Sequence, residues 1–323
     1  MKIMKSTTTQ KWMKLGIIAS LILVTVSFTG CKKDDDPAPV QNNIVQLVVN
    51  NPNFSFLEAA VVKAELVEAL SGRGPLTVFA PTNDAFIAAG FANEAAVSAL
   101  SKETLVSILT YHVVGSGITS SAIPTAANTP VETLAETDVF VTKDQRGVFV
   151  NGAQVVQADV QASNGIIHVI NKVLMPAVGN IVQAAQGNAN LSYLVAAVLR
   201  ASEGTTNVAE ALSAAGPLTV FAPTNQAFIN ANFATVAAIQ QADPATLTSI
   251  LTYHVVQGRV LSTDLTEGAT PATLNGGRVT ITLSGGAKVK GVGNATPSNI
   301  TAADIITTNG VVHVIDQVLL PAS

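Results

Sequence analysis

The chain has 323 residues with 17 Lys and Arg against 21 Asp and Glu, and its formal net charge is −4. This length predicts about two domains. A sparsely charged chain without a basic stripe argues against nucleic-acid binding, because that affinity comes mainly from neutralised phosphates. The only cysteine, Cys31, excludes an intramolecular disulfide and a metal site built from several cysteines.

The first thirty residues have the organisation of an export signal. Four lysines and no acidic residue precede the apolar run LGIIASLILVTVSF at 15–28, which is followed by Thr29 and Gly30. The run is shorter than the roughly 20 residues that a membrane-spanning helix needs. We therefore predict a signal peptide over residues 1–30 that is removed.

Cys31 directly follows this signal, and its surroundings resemble the lipobox of bacterial lipoproteins, with Phe28 where leucine is usual. The resemblance implies that Cys31 becomes the first residue and is acylated. An ordinary signal peptide beside an incidental cysteine is the alternative. At about 0.8 kcal/mol per buried methylene, several acyl chains hold a protein firmly on a membrane. Removal of the four lysines takes the formal charge from −4 to about −8, so no further grip on anionic lipid is expected.

Residues 32–43, KKDDDPAPVQNN, are polar and contain proline without apolar periodicity. With the acylated Cys31 they predict a flexible tether over 31–43. The run 32–36 resembles the acidic signal that sends some Gram-negative lipoproteins to the outer surface, and a solvated spacer is the alternative. We expect an exported protein, lipid-anchored to a bacterial outer membrane at the cell surface.

The rest of the chain is an internal repeat. Three segments recur in the same order: GPLTVFAPTNDAF at 74–86 and GPLTVFAPTNQAF at 216–228, LTYHVV at 109–114 and 251–256, and NGIIHVINKVLMP at 164–176 and NGVVHVIDQVLLP at 309–321. They predict two copies of one domain, at 44–176 and 181–323. Only AVGN separates the copies, so we expect a fixed or narrowly hinged pair.

Helices are expected early in each copy and strands late. Apolar spacing over 54–70 predicts a helix, and 76–80 a short strand followed by a helix capped by Thr82 or Asn83. Another helix is predicted at 101–111.

In the second copy, Asp243–Pro244 has the pattern of an N-cap followed by proline at the first helical position. The alternating stretches at 139–152 and 278–291 predict β-hairpins. The fold class is therefore α+β, with an antiparallel-rich sheet in the later part of each copy.

The three repeated segments resemble the first motif, the central Tyr-His motif and the second motif of fasciclin-like domains. The resemblance covers nearly all of residues 44–323. It implies two tandem domains, each a wedge of β-sheets flanked by helices. Fasciclin-like proteins are extracellular and usually repeated. They are implicated in adhesion to cells, matrix proteins or polysaccharides, without a generally established catalytic activity.

The resemblance also indicates candidate partner-binding residues. In animal fasciclin proteins the Tyr-His segment and an Asp-Ile pair before the second motif are integrin-recognition elements. The matching positions are Tyr111, His112, Asp159 and Val160 in the first copy and Tyr253, His254, Asp304 and Ile305 in the second. Val160 departs from the isoleucine of the family. The alternative is structural, with Tyr and His packed between helix and sheet and the Asp capping a turn.

No catalytic residue, metal or cofactor is predicted. The four histidines form the equivalent pairs His112 with His254 and His168 with His313, and neither copy has the close spacing typical of zinc sites. We expect half-buried histidines with hydrogen-bond partners. The sequence also has no nucleophile elbow, phosphate loop or EF-hand pattern. An enzyme is therefore not expected.

Two functions of different class follow. The first is an anchored adhesion module that binds a protein, a cell surface, a matrix partner or a second copy of itself. The alternative is a glycan-binding surface lipoprotein that captures polysaccharide. The only tryptophan, Trp12, lies in the signal peptide, which leaves Tyr111, Tyr193 and Tyr253 as the tyrosines for sugar stacking. The adhesion hypothesis is preferred.

Overall fold

The structure is a computed structural model that describes residues 41–322. The predicted signal peptide, Cys31 and most of the tether lie outside these residues. Within residues 41–322, no helix combines the length and apolar character that crossing a membrane requires.

The first copy has six helices, and its first strand lies between the third and the fourth. They are α1 (Ile44–Val49), α2 (Ser55–Lys63), α3 (Val67–Ser71), α4 (Asn83–Ala88), α5 (Glu94–Ser98) and α6 (Lys102–Tyr111), with a 3-10 turn at Pro52–Phe54. Side-chain caps explain where they begin. Thr82 accepts a hydrogen bond from Ala85 N at 3.3 Å, and Ser101 accepts one from Thr104 N at 3.2 Å.

The single helix predicted over 54–70 is wrong. The structure ends α2 at Lys63 and starts α3 at Val67. Between them Glu65 adopts a φ of +57°, a left-handed conformation that cannot continue a right-handed helix. The apolar spacing continues across this break because both helices bury side chains in one core.

The first copy has seven strands: β1 (Leu76–Pro81), β2 (Val113–Val114), β3 (Thr129–Glu132), β4 (Asp138–Asp144), β5 (Gly147–Val150), β6 (Ala153–Ala162) and β7 (Gly165–Ile170). They form one sheet in the order β2-β1-β7-β6-β5-β4-β3. The pair β1 and β7 is parallel, and the remaining pairs are antiparallel. The hairpin predicted at 139–152 is confirmed as β4 and β5.

The second copy repeats this plan. Its helices are α7 (Ile181–Gln186), α8 (Ser192–Ala201), α9 (Val208–Ser213), α10 (Asn225–Asn230), α11 (Val236–Gln241) and α12 (Pro244–Tyr253), with 3-10 turns at Ala189–Leu191 and Ser262–Asp264. Its strands are β8 (Leu218–Pro223), β9 (Val255–Gln257), β10 (Val279–Thr282), β11 (Lys288–Gly291), β12 (Ser298–Thr307) and β13 (Gly310–Ile315). The sheet order is β10-β11-β12-β13-β8-β9, and isolated bridges at Ala272 and Thr273 take the place of β3.

Each sheet curls until its two edges meet. In the first copy Leu134 N donates to the Val113 carbonyl at 2.7 Å, and in the second Leu274 N donates to the Val255 carbonyl at 2.8 Å. Each copy therefore has two cores. Successive residues of β1 face opposite sides, so Val78 packs against the helices while Phe79 lies inside the curl.

Both long strands are interrupted at equivalent points. In β6 the register shifts between Gln157 and Val160, and in β12 it shifts between Ala302 and Ile305. Within these bulges Asp159 and Asp304 adopt φ values of +59° and +64°. The bulges turn both aspartates out of the strand pairing and toward the loop that follows β2 or β9.

Candidate functional site

The two Tyr-His tyrosines are buried at one end of the curled sheets, each about 1% exposed. Tyr111 Oη donates to the Asp138 carbonyl at 2.9 Å and accepts from Asn151 Nδ2 at 2.8 Å. Tyr253 Oη likewise donates to the Arg278 carbonyl at 2.5 Å and accepts from Val292 N at 3.0 Å. Burial raises the pKa of Tyr111 to about 12. Neither ring offers surface to a partner.

His112 and His254 each link the end of a helix to the segment that follows the last strand of the same copy. His112 Nδ1 lies 2.8 Å from the Ile108 carbonyl, and its Nε2 accepts from Leu174 N at 2.9 Å. Since Leu174 N can only donate, the ring is neutral with its proton on Nδ1. His254 has the same pair of contacts, at 2.8 Å each. Burial lowers the pKa of both rings to about 4.

His168 and His313 carry the opposite tautomer. Asp159 N donates to His168 Nδ1 at 3.2 Å, so Nε2 is protonated and donates to the Ile118 carbonyl at 2.8 Å. His313 has equivalent contacts with Asp304 N and the Val260 carbonyl. All four histidines are almost fully buried rather than half-buried, and each ring nitrogen has a backbone partner.

The two aspartates tie the bulge to the following loop. Asp159 accepts from Ser120 N at 2.7 Å and from Ser120 Oγ, and this hydroxyl contact is the main cause of its lowered pKa. Asp304 makes the same two contacts with Ser262. Beside them, Val160 and Ile305 are partly exposed. These contacts are those of the structural alternative, and partner binding through the eight candidate residues stays a prediction.

No group of three or more His, Cys, Asp or Glu within residues 41–322 is placed to hold a metal ion. Tyr193 and Phe228, the remaining candidates for a stacking platform, have ring centroids 6.5 Å apart and planes at 47°. Because Phe228 is also buried, the pair forms no flat surface for a sugar ring.

The loop after β9 in the second copy packs against the first copy. The Arg259 guanidinium lies 3.8 Å from the centre of the Phe140 ring, and Leu261 is fully buried in a small cluster with Phe140. Asn128 Nδ2 donates to Asp264 Oδ2 at 2.8 Å and to the Arg259 carbonyl at 3.0 Å. Cation–π packing, apolar burial and partly buried hydrogen bonds thus hold the junction.

Asp304 belongs to the same junction. Lys172 Nζ of the first copy lies 3.5 Å from its carboxylate, which is 3% exposed. Gly152 packs so closely that a Cβ there would lie 2.2 Å from Asp304 Oδ2. The φ of Gly152 is also +77°, so steric and conformational requirements both favour glycine at this position.

The two copies differ in the residues of this loop, which follows β9 in the second copy and β2 in the first. Where the second copy has Arg259, Leu261 and Asp264, the aligned positions of the first copy are Gly117, Thr119 and Ala122. These residues lack the guanidinium, the apolar side chain and the carboxylate that form the junction. The junction therefore has a direction, and the Asp159 face of the first copy lies outside it.

A junction cleft of about 670 Å³ opens where the two copies meet. Asp304 and Ile305 line it from the second copy, and Ile108, Leu174 and Asn151 line it from the first. These first-copy residues are the hydrogen-bond partners of His112 and Tyr111. Tyr111 and His112 themselves do not line the cleft, so of the candidate residues only the Asp-Ile pair of the second copy does. Asp159 and Val160 do not line it.

Comparisons with known proteins identify the family of the two copies. Residues 52–176 and 191–321 each match the fasciclin domain, and together they make up more than half of the chain. The chain belongs to the fasciclin domain family. The α+β fold with two tandem fasciclin domains, predicted from the sequence, is thereby confirmed.

The relatives range from bacterial to animal proteins. Protein sll1483 of Synechocystis sp. is 51% identical over 136 residues, 41% of this chain and 73% of that protein. Immunogenic protein MPB70 of Mycobacterium bovis is 37% identical over 138 residues, 43% of this chain and 67% of its own. Human periostin is 28% identical over 262 residues, 80% of this chain, but this chain spans only 30% of periostin.

A solved FAS1 domain pair from the insect cell adhesion molecule fasciclin I is also similar. It is 20% identical, with a TM-score of 0.40 over 82% of this chain and 95% of that chain.

Within the fasciclin domains, sequence reasoning missed one pair of residues that organises the fold. Asn164 Oδ1 accepts from Ile44 N at 3.0 Å, and its Nδ2 donates to the carbonyls of Leu70 and Gly72 at 2.9 Å. Asn309 does the same in the second domain. The sequence signal for this pair is the Asn-Gly dipeptide at the start of the last repeated segment of each domain. The asparagine side chain joins the first helix and the end of the third helix to the start of the last strand.

Proposed function

We propose that this protein is a non-catalytic adhesion protein. It is exported, anchored through acylated Cys31 to a bacterial outer membrane, and exposed at the cell surface. It binds a protein, cell-surface or matrix partner through its fasciclin pair. Membership of the fasciclin family supports the interaction class, since fasciclin domains occur in adhesion and interaction proteins such as periostin and MPB70. The anchor is supported by the lipobox-like sequence alone.

The junction cleft is the partner-binding site that the geometry favours. Binding sites are commonly concave and predominantly apolar, lie between domains and carry a few polar groups. Here the apolar wall includes Ile108, Leu174 and Ile306, and the side chains of Met175 and Val178 are 52% and 85% exposed. Exposed apolar side chains beside a cleft gain free energy when a partner covers them. The observation that carries the proposal is that Asp304 and Ile305 line a cleft whose opposite wall contains the hydrogen-bond partners of Tyr111 and His112.

The charges of the cleft define what a partner meets there. The Asp304 carboxylate is satisfied by Ser262 and nearly inaccessible. Lys172 is 48% exposed, and Glu103 is exposed on α6. A partner therefore meets one positive and one negative group around an apolar centre, an arrangement that favours orientation over strong non-specific attraction.

The way the histidines and tyrosines are used supports the non-catalytic part of the proposal. Each histidine ring has both nitrogens occupied by backbone groups, so none is available as a general base. The tyrosine hydroxyls are likewise used within the core. These residues maintain the shape of the binding surface.

The test is binding of the soluble chain, residues 32–323, to immobilised matrix proteins, cell-surface extracts, polysaccharides and the chain itself. The proposal expects saturable binding to a protein or to a second copy without binding to polysaccharide. Saturable binding to a polysaccharide alone would contradict it and favour glycan capture. The anchor is tested separately, because Cys31→Ser should abolish incorporation of labelled palmitate and release the chain from membranes.

A further inference from the structure

Each fasciclin domain has an apolar cavity at the open end of its curled sheet, apart from the junction cleft. We call these the mouth cavities. Their volumes are about 270 Å³ in the first domain and about 320 Å³ in the second. In a small curled sheet or barrel, interior space is either filled by side chains or holds a ligand. Here the apolar cores inside the curled sheets leave this space at the open end unfilled.

The two mouth cavities are built from equivalent positions. An aromatic ring comes from β1 or β8, an aliphatic side chain from β4 or β10, and another from the loop after β2 or β9. These pairs are Phe79 with Phe221, Val141 with Ile281, and Ile118 with Val260. The phenylalanine is the same in both copies, and the other two residues change while their apolar character is kept.

The walls offer little hydrogen bonding. His168 lines the first mouth cavity, but its two ring nitrogens are occupied by Asp159 N and the Ile118 carbonyl. In the second mouth cavity, Thr219 Oγ1 is occupied by the Gly258 carbonyl and Val260 N, and the Asp264 carboxylate accepts from Leu261 N and Asn128 Nδ2. A sugar or a charged group entering either cavity would regain few of the hydrogen bonds that it makes with water. The chemistry therefore selects an apolar ligand.

The volumes indicate the size of that ligand. An apolar cavity of about 150 Å³ is enough to bind benzene. Each mouth cavity is about twice as large. We propose that each fasciclin domain of this protein binds one apolar small molecule larger than benzene, such as a substituted ring or a short acyl chain, in its mouth cavity.

The two cavities differ in one respect. Asp264 lines the second mouth cavity and also accepts the hydrogen bond from Asn128 across the junction, at 2.8 Å. The aligned position in the first domain is Ala122, which makes no such contact. A ligand in the second cavity therefore touches a loop that holds the two domains together, whereas one in the first cavity does not.

The experiment is photolabelling of the purified full-length protein with 3-(trifluoromethyl)-3-phenyldiazirine, a small apolar probe, followed by mass-spectrometric mapping. We expect label in residues 117–131 and 260–271, and excess naphthalene should remove it. Label that is spread over exposed apolar surface and is not displaced by naphthalene would overturn the proposal.

Substitutions at an equivalent pair of positions assign the label. Thr129→Leu should fill the first cavity and abolish label in 117–131 only, and Ala269→Leu should do so in 260–271 only. Ala95→Leu, on the exposed face of α5, is the matched control and should change neither. Unchanged label in both folded variants would refute the sites. If a variant does not fold, naphthalene competition on the unsubstituted chain still tests the proposal, because label that naphthalene does not displace would overturn it.

Discussion

Buried neutral histidines should make the fasciclin domains sensitive to mild acid. In the unfolded chain an imidazole has a pKa of about 6.5, whereas burial lowers the pKa of His112 and His254 to about 4. Between these values the unfolded chain binds protons that the folded chain excludes. The free energy of unfolding is therefore highest above pH 6.5 and falls as the pH falls toward 4.

The magnitude follows from these two pKa values. At pH 4.5 the loss is about 2.5 kcal/mol for each imidazole, or about 5 kcal/mol for both. The aspartates with lowered pKa values, such as Asp159, contribute stability that is lost mainly below their ordinary value of 3.8. The range from pH 6.5 to 4.5 therefore isolates the histidines. Protonation would also place an Nε2–H against Leu174 N, so a hydrogen bond becomes a repulsion.

The test substitution is His112→Gln. Its free energy of unfolding is compared with that of the unsubstituted chain by urea denaturation at pH 7.0 and pH 4.5. Circular dichroism is the readout, because residues 32–323 contain no tryptophan. At pH 7.0 the variant should lose about 2 kcal/mol, since the Ile108 carbonyl and Leu174 N lose their partner. Its further loss at pH 4.5 should be smaller than that of the unsubstituted chain by about 2.5 kcal/mol, the contribution of one imidazole. An equal pH dependence in both proteins would refute the account.

Three further predictions concern stability and the junction. Tyr111→Phe should cost about 1–3 kcal/mol in chemical denaturation, because Asn151 Nδ2 is left without its acceptor. Thr224→Ala, which removes the N-cap of α10, should cost about 1 kcal/mol in the same assay, and no loss would show that the cap contributes nothing. Phe140→Ala, which removes the ring beneath Arg259, should loosen the domain pair and increase its radius of gyration in X-ray scattering, whereas an unchanged radius would show that the stack does not fix the junction.

Local signals carried the correct sequence predictions. Of the two caps predicted for α4, Thr82 is the one observed, and the predicted helix starts near Ser101 and at Asp243 are confirmed. A capping side chain and the next backbone N–H groups suffice to define such a start. The strand at 76–80 and both hairpins also follow from alternation and turn residues within a few positions.

The rest depends on contacts between residues far apart in the chain. The break at Glu65 has neither glycine nor proline to announce it, and it is imposed by how α2 and α3 pack on the sheet. Full burial of the histidines depends on residues about sixty positions away in the chain. His112, for example, contacts Leu174, which follows the last strand of its copy. The junction cleft arises from which two faces meet, and a repeat alignment shows the differing residues without showing that they touch.

Binding of a partner in the junction cleft can be measured at one pair of equivalent residues. Ile305 lines the cleft, while Val160, its equivalent in the first domain, lies outside it and is comparably exposed. The decisive measurement is the affinity of Ile305→Glu and Val160→Glu for the ligand found in the binding panel, with thermal unfolding confirming that both variants fold. We expect Ile305→Glu to bind at least about tenfold more weakly, a difference of 1.4 kcal/mol, while Val160→Glu binds normally. Equal affinity of the two variants, or loss only in Val160→Glu, would show that the partner does not bind in the junction cleft.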